Sequence, residues 1–410
     1  MKKSASYYPV VIVGAGPAGS AAAIYFSRKG IQPLLVDKAR FPRDKICGDG
    51  IPLKTFQLLT DLGFDEQQLF ANGFKIHQLR VYSPDYHVAV FGGLKPDAST
   101  KSGCIPRLIF DHALFEKAAE AACETLTQHK LESMSRQNGR WLLELRDLRT
   151  NDRVPIETDL LIGADGGKSR VARLSGLLTP TDAHRFDGLR VYYEGKRFDP
   201  AVHLFYDRKT LPGYLWIFPV SETRANVGIM MDKSCKQRYG KTIRQIFEEV
   251  LQENPRVREV LEGARPVDRI RGAPLPLGTL PGRRVADGLI LIGDAAAFIN
   301  PVTGGGIYYA ILSAKFAAEF GVRALQKGDT SWKALLPYEE WWRRTILPGF
   351  IYSGWLKNKF KSEKFTRWFL RKVSENRIFA NFFIAVYGRP LPRYTFINPL
   401  FWLKIFLLRR

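Results

Sequence analysis

The chain has 410 residues, with hydrophobic residues at 45% and charged residues at 25%, a globular balance that excludes a disordered polymer or a peptide-sized scaffold held by disulfides. Lysine and arginine number 62 against 40 aspartates and glutamates, a net charge of +22, which predicts attraction to anionic surfaces. Cys47, Cys104, Cys123 and Cys235 form no CxxC pair and no cluster with histidine at zinc-ligand spacing, so reduced thiols in a cytoplasmic compartment are expected and a metal site is not.

Lys2 and Lys3 before an apolar run to Phe26 superficially resemble a signal peptide, but fixed glycines argue against one. In VVIVGAGPAGS, Gly14, Gly16 and Gly19 stand in G-x-G-x-x-G register directly after the β-branched run Val10 to Val13. Such a turn bends tightly at the first glycine, lets backbone approach a pyrophosphate at the second, and packs helix on strand at the third. Pro17 and Ala18 suit the first turn of a helix that runs to about Lys29 and stops at Gly30. PLLVDK then forms a second strand ending at Asp37, eighteen residues beyond Gly19. That acid can accept from both hydroxyls of an adenosine ribose and would repel a 2′-phosphate, so FAD or NAD is expected rather than NADP.

Next comes KICGDGIP, a loop around Cys47 whose small residues let a ligand come close. Residues 72–110 and 185–235 alternate apolar and polar positions, as antiparallel strands do. Between these stretches, IPRLIFDHALFEKAAEAA begins an amphipathic helix at Arg107, and DLLIGADGGKSRVAR runs a strand into Asp165 and Gly166 before a basic helix. Tyr214, Trp216 and Phe218 are spaced by two, so their side chains share one strand face as an aromatic wall.

The segment GLILIGDAAAFINPVTGGGIYYAILSAKFAAE decides between the two dinucleotides. It reads as a strand from Leu289 to Ile292, an acidic turn at Gly293 and Asp294, a glycine-rich loop and a helix. Asp294 at a strand end can hold ribityl hydroxyls, while Thr303 to Gly306 and the positive end of the next helix can face the isoalloxazine N1/C2=O edge. FAD is therefore the expected cofactor. Only one adenine-nucleotide fingerprint is visible, so the electron donor, NADPH, NADH or a small electron carrier, is expected to bind transiently.

G-x-G-x-x-G, the DG at Asp165 and the GD at Gly293, in this order, resemble the flavoprotein hydroxylase superfamily. Within it, KICGDGIP, YLWIFP from Tyr214 to Pro219 with Gly228, and GDAAAFINPVTGGGIYYA resemble the geranylgeranyl reductase family, over roughly residues 8 to 325. The chain departs from that pattern where Ile229 and Met230 follow Gly228, which changes an expected turn, and where Gly305 stands in place of a common glutamate. The resemblance implies FAD contacts near Ala18, Asp37, Cys47, Gly48, Gly50, Arg107, Asp294, Gly306 and Ile307. Arg107 is expected to pair with the FAD pyrophosphate.

The fold class expected is α/β: a Rossmann-type FAD-binding domain from residues 1–72, 103–182 and 270–330, an inserted antiparallel β-sheet substrate domain from 73–102 and 183–269, and a helical C-terminal region, 331–410. Its expected reaction is reduction of carbon–carbon double bonds in a geranylgeranyl or other polyprenyl group by hydride from reduced flavin, with Cys47 as candidate proton donor. The alternative is oxygen insertion by a hydroxylase or epoxidase, or halogenation, since YLWIFP approaches the halogenase pattern WxWxIP but differs at Tyr214 and Phe218. From Trp341 on, fifteen basic residues face two acids and five of the eight tryptophans are found. Basic residues interrupt every apolar stretch before the roughly 18 residues of a membrane span. A peripheral location at the inner face of an anionic membrane is expected, with neither nucleic acid nor an obligate protein partner.

Overall fold

A computed structural model describes residues 5–91, 102–121 and 123–375. Its first sheet is built where β-branched and leucine runs leave no polar face. Strands Leu289–Leu291, Arg153–Gly163, Ser6–Val13, Leu34–Val36 and Glu124–Leu126 lie side by side and parallel. Val10 to Ile12, Leu160 to Ile162 and Leu289 to Leu291 are fully buried, as expected of parallel strands covered on both faces. An antiparallel hairpin, His129–Gln137 with Arg140–Asp147, extends one side through Arg153–Gly163.

Helix Pro17–Arg28 and the long helix Ile307–Gln326 pack against each other over this sheet. At Gly321 an added Cβ would lie 2.8 Å from Leu160 and 3.1 Å from Phe26, so a glycine lets the long helix sit close. Helix Trp332–Thr345 docks alongside, its Tyr338 hydroxyl donating to the Leu291 carbonyl at 3.0 Å.

The second sheet runs Arg265–Pro266, Arg185–Glu194, Arg224–Met231, Tyr214–Pro219, Ala201–Phe205, Gln78–Tyr82 and Val88–Phe91. Its pairs are antiparallel except Ala201–Phe205 with Gln78–Tyr82, which run parallel. Strand Arg271–Pro276 also pairs with Arg185–Glu194, so the second sheet extends to Pro276, a few residues past the boundary expected at 270. Gly228 lies within strand Arg224–Met231 rather than in a turn. An added Cβ there would meet the Trp216 indole at 2.1 Å, so the position is glycine to make room for a ring.

Helices Leu347–Phe360 and Glu363–Glu375 close the end of the second sheet, and Leu356, Phe360, Phe369 and Leu370 join Leu204, Tyr206, Tyr214 and Trp216 in one apolar cluster. The basic, aromatic stretch from 376 onward lies outside the described residues. Among the described residues no helix is long and apolar enough to cross a membrane.

Candidate functional site: a flavin cradle beside an aromatic wall

Gly14 has φ +106°, and an added Cβ would lie 2.4 Å from the Ala164 carbonyl oxygen. At Gly19 it would lie 1.7 Å from the Gly14 oxygen. The protein's own backbone forbids side chains at both positions. Gly16 differs, since the nearest atom to an added Cβ is the tip of Arg43 at 3.4 Å. The room left at Gly16 is room for a ligand, at the N-terminus of helix Pro17–Arg28, where backbone N–H groups and a guanidinium both favour phosphate. Asp37, buried at the end of strand Leu34–Val36, accepts from the backbone N–H groups of Ala15 and Ala39, both at 2.7 Å, and so is aligned with the turn.

The distant acidic turn meets this one. Gly293 has φ +57°, and an added Cβ would lie 2.8 Å from the Ala18 Cβ and 3.4 Å from the Ala310 Cβ, so the first turns of the two long helices converge there. Asp294 pairs with Lys45 at 2.8 Å, and its Oδ1 is 3.0 Å from where a Gly306 Cβ would stand. Burial opposes its ionisation, but the Lys45 ammonium and the more distant Arg107 charge outweigh it and hold the carboxyl below its ordinary value. An ionised acceptor is what sugar-alcohol hydroxyls require. The loop before helix Ile307–Gln326 is shaped by Asn300, whose Oδ1 accepts from the Val302 and Thr303 N–H groups at 2.9 and 3.0 Å, while Gly305 and Gly306 keep its surface bare.

The Cys47 loop forms the third wall. Added Cβ atoms at positions 48 and 50 would stand 3.3 and 3.2 Å from the Phe218 ring, so glycine lets the loop lie close against it. Tyr214, Trp216 and Phe218 do share one face, and Tyr214 donates to the Thr303 carbonyl at 2.6 Å. The aromatic strand thus touches the Cys47 loop at one end and the Gly306 loop at the other.

Apart from Asp49, the residues around the Cys47 loop escaped sequence reasoning. Asn226 accepts from the Trp216 indole at 2.9 Å and donates at 2.7 Å both to the Cys47 carbonyl and to Asp49. Asp49, fully buried with φ +62°, also accepts from the Tyr192 hydroxyl at 2.7 Å. Guanidinium groups of Arg190 and Arg224 lie 4.2 and 4.3 Å from the Tyr192 ring centre. Lys54, just past the loop, rests its ammonium over Tyr308 and Tyr309 at 4.3 and 4.8 Å, and burial pushes its pKa down to about 8. The one local cue to Asp49 was its position between glycines in CGDG.

Two expected ligands are placed differently. Arg107 is buried, its guanidinium engaged bidentately by Asp111 at 2.6 and 2.7 Å, and it meets the Cys47 loop through its backbone N–H to Asp49 at 3.3 Å and through the Cys47 side chain, while Arg43, on the same carboxylate at 2.7 Å, is the cation beside Gly16. Asp165 adjoins the Gly14 turn, but its carboxylate accepts from Ser169 and the N–H groups of Arg170 and Val171, capping its own helix. The bare turn at Gly16, the ionised Asp294 and the bare loop at Gly305 fit FAD as an extended dinucleotide.

Comparison with known proteins agrees with this geometry. Residues 7–340 match the FAD binding domain family. Over 349 residues the chain is 32% identical to the digeranylgeranylglycerophospholipid reductase of Methanothrix thermoacetophila, covering 82% of this chain and 83% of the relative. The chain belongs to the geranylgeranyl reductase family of FAD-dependent oxidoreductases. A geranylgeranyl bacteriochlorophyll reductase-like protein of Thermoplasma acidophilum shares the fold with a TM-score of 0.83 at 22% identity, covering 97% of this chain and all of that one. A flavin-dependent brominase shares it with a TM-score of 0.79 at 20% identity, over 97% and 99% of the two chains. The fold therefore serves reductases and halogenating enzymes alike, and the chemistry must be argued from side chains.

Proposed function

We propose that this oxidoreductase reduces carbon–carbon double bonds of a geranylgeranyl or other polyprenyl group. The observation that carries the reading is the meeting of the Cys47 loop and the Thr303–Gly306 loop at the two ends of the aromatic strand Tyr214–Pro219. A relative named for reduction of a digeranylgeranylglycerophospholipid supports the substrate class.

FAD, reduced by NADPH, NADH or a small electron carrier, supplies the hydride. Tyr214, Trp216 and Phe218 hold the isoprenoid chain and exclude water from it. The Cys47 thiol gives a proton to the second carbon, so one hydride and one proton add across the double bond. Asn226 fixes the Cys47 loop through the residue's carbonyl.

Anaerobic reduction with dithionite followed by a geranylgeranyl substrate is expected to reoxidise the flavin and give a product heavier by two hydrogens. Reoxidation only on admitting oxygen, with the mass of one oxygen gained, would overturn the reductase reading and leave a monooxygenase.

An anionic membrane surface is the proposed location of the substrate. Ile351 and Trp355, 59% and 44% exposed, stand on helix Leu347–Phe360 close to Lys359 and Lys361, the pairing of apolar side chains and positive charge that seats a helix among anionic headgroups. Replacing both Ile351 and Trp355 by serine should reduce co-sedimentation with phosphatidylglycerol vesicles several-fold, and unchanged co-sedimentation would refute this surface as the contact.

A further inference from the structure

Helix Leu347–Phe360 has a second side that the reaction does not use. Toward the flavin cradle it presents Phe350, whose ring packs 4.8 Å from Tyr309, Ser353, bonded to Asn300 at 3.1 Å, and Phe360, 5.4 Å from Tyr206. Away from these contacts it borders a separate cavity of about 590 Å³, closed on its other sides by the Asp182–His184 turn and the start of helix Lys233–Tyr239. That volume lies in the range of small-molecule sites.

Lys357 lines this cavity although it is only 5% exposed. Its ammonium has the Ala183 carbonyl as a distant acceptor at 3.4 Å and the Phe186 ring at 5.3 Å, and among the described residues it forms no ion pair with a carboxylate. A buried ammonium with three donors and one weak acceptor is costly without an anion. Burial accordingly pushes its pKa below the usual lysine value, against the opposing charge of Asp232.

The acids nearby are already engaged. Asp182 is held by Lys233 at 2.7 Å and Arg185 at 3.3 Å, and Asp232 caps helix Lys233–Tyr239 through the Ser234 N–H at 3.0 Å, with Lys361 at 3.8 Å. Lys361 adds a second ammonium to the lining, while Ser234, Gln237 and Asn358 add uncharged hydrogen-bonding groups.

We infer that this cavity is a binding site for a phosphate group, with Lys357 and Lys361 taking its charge and Gln237 and Asn358 its remaining oxygens. Two sources carry that chemistry, the headgroup of a membrane phospholipid and a soluble phosphate. Binding is read without turnover, so the inference stands or falls independently of the prenyl-reductase reading.

Calorimetric titration of the holoprotein with inorganic phosphate, at ionic strength held constant with chloride, is paired with sedimentation on phosphatidylcholine vesicles with and without phosphatidic acid. Lys357→Met and Lys361→Glu are each expected to weaken phosphate binding or vesicle retention at least tenfold. Lys333→Glu, an equal change of charge at an exposed position of helix Trp332–Thr345 that is outside both the cavity lining and the Ile351–Trp355 surface, should weaken neither by more than twofold. Retention on phosphatidic acid that depends on Lys361 assigns the lipid headgroup, and phosphate binding that depends on Lys361 without such retention assigns a soluble ligand. Absence of both in the native protein, or equal losses in Lys333→Glu and Lys361→Glu, would overturn the site. If Lys357→Met does not fold, the exposed Lys361 position decides alone.

Discussion

Asp294→Ala is expected to purify with little bound FAD, while Cys47→Ala stays yellow and loses turnover. The carboxylate of Asp294 is held ionised by Lys45 at 2.8 Å, at the end of strand Leu289–Leu291 and against Gly306. Removing it takes away charged acceptors for the ribityl hydroxyls and leaves Lys45 without its counter-ion. Hydrogen bonds to charged groups are worth about 1.5–3 kcal/mol each, so losing one weakens the flavin roughly tenfold to a hundredfold, and losing two weakens it further. Asp294→Asn, which keeps one acceptor oxygen, should fall between. Flavin absorbance per unit of protein after gel filtration measures this directly, and full occupancy in Asp294→Ala would move the flavin elsewhere. Cys47→Ala leaves the loop held through the Cys47 carbonyl and Asp49, and takes from it only the thiol's contact with Arg107.

Sequence reading reached the parts of this site whose physics is local. A tight turn needs glycine where φ is +106°, as at Gly14, and a helix packed on a strand needs it where a Cβ would strike backbone, as at Gly19. These demands act within a few residues and leave a fixed spacing. Alternation along a strand is equally local, which is why Tyr214, Trp216 and Phe218 could be placed on one face.

Contacts across long sequence separations leave no such trace. Asn226 reaches the Cys47 carbonyl from 179 residues away, and Lys45 reaches Asp294 from 249. No spacing rule connects them. Arg107 shows the converse, since its partner Asp111 lies four residues on in the same helix, a spacing that places the two side chains on one face. The intrahelical pair was legible, and it engages the guanidinium expected on the pyrophosphate. Arg43 is the guanidinium beside Gly16, because the loop after Asp37 folds back over that turn. Gly228 misled for a related reason: glycine was read as a turn former, whereas in mid-strand it clears space for the Trp216 indole of the neighbouring strand.

Asp49 should make the protein's stability fall as pH rises from about 4 to above 6. Full burial disfavours its charge and pushes its pKa up from 3.8 to about 6, although hydrogen bonds from Tyr192 and Asn226 and the nearby charges of Arg190 and Arg107 act in the opposite direction. Between those two values the folded protein binds a proton that the unfolded chain has released. Stability is therefore highest below the unfolded value and declines as pH rises through the folded one. Each tenfold difference in proton affinity between the folded and unfolded chain is worth about 1.4 kcal/mol, so the loss amounts to roughly 3 kcal/mol.

Asp49→Asn imitates the protonated acid, and asparagine tolerates the left-handed conformation this position requires. The stability of the native protein relative to this variant, from urea unfolding at a series of pH values, should fall by about 3 kcal/mol from pH 4 to pH 7. Tyr192→Phe removes one of the donors that favour the ionised form, so the midpoint of that fall should move to higher pH. A difference that does not change with pH would mean that burial does not govern this carboxyl. A fall that levels off near pH 6 would establish, directly behind the Cys47 loop, an acid that can take up or release a proton near neutral pH.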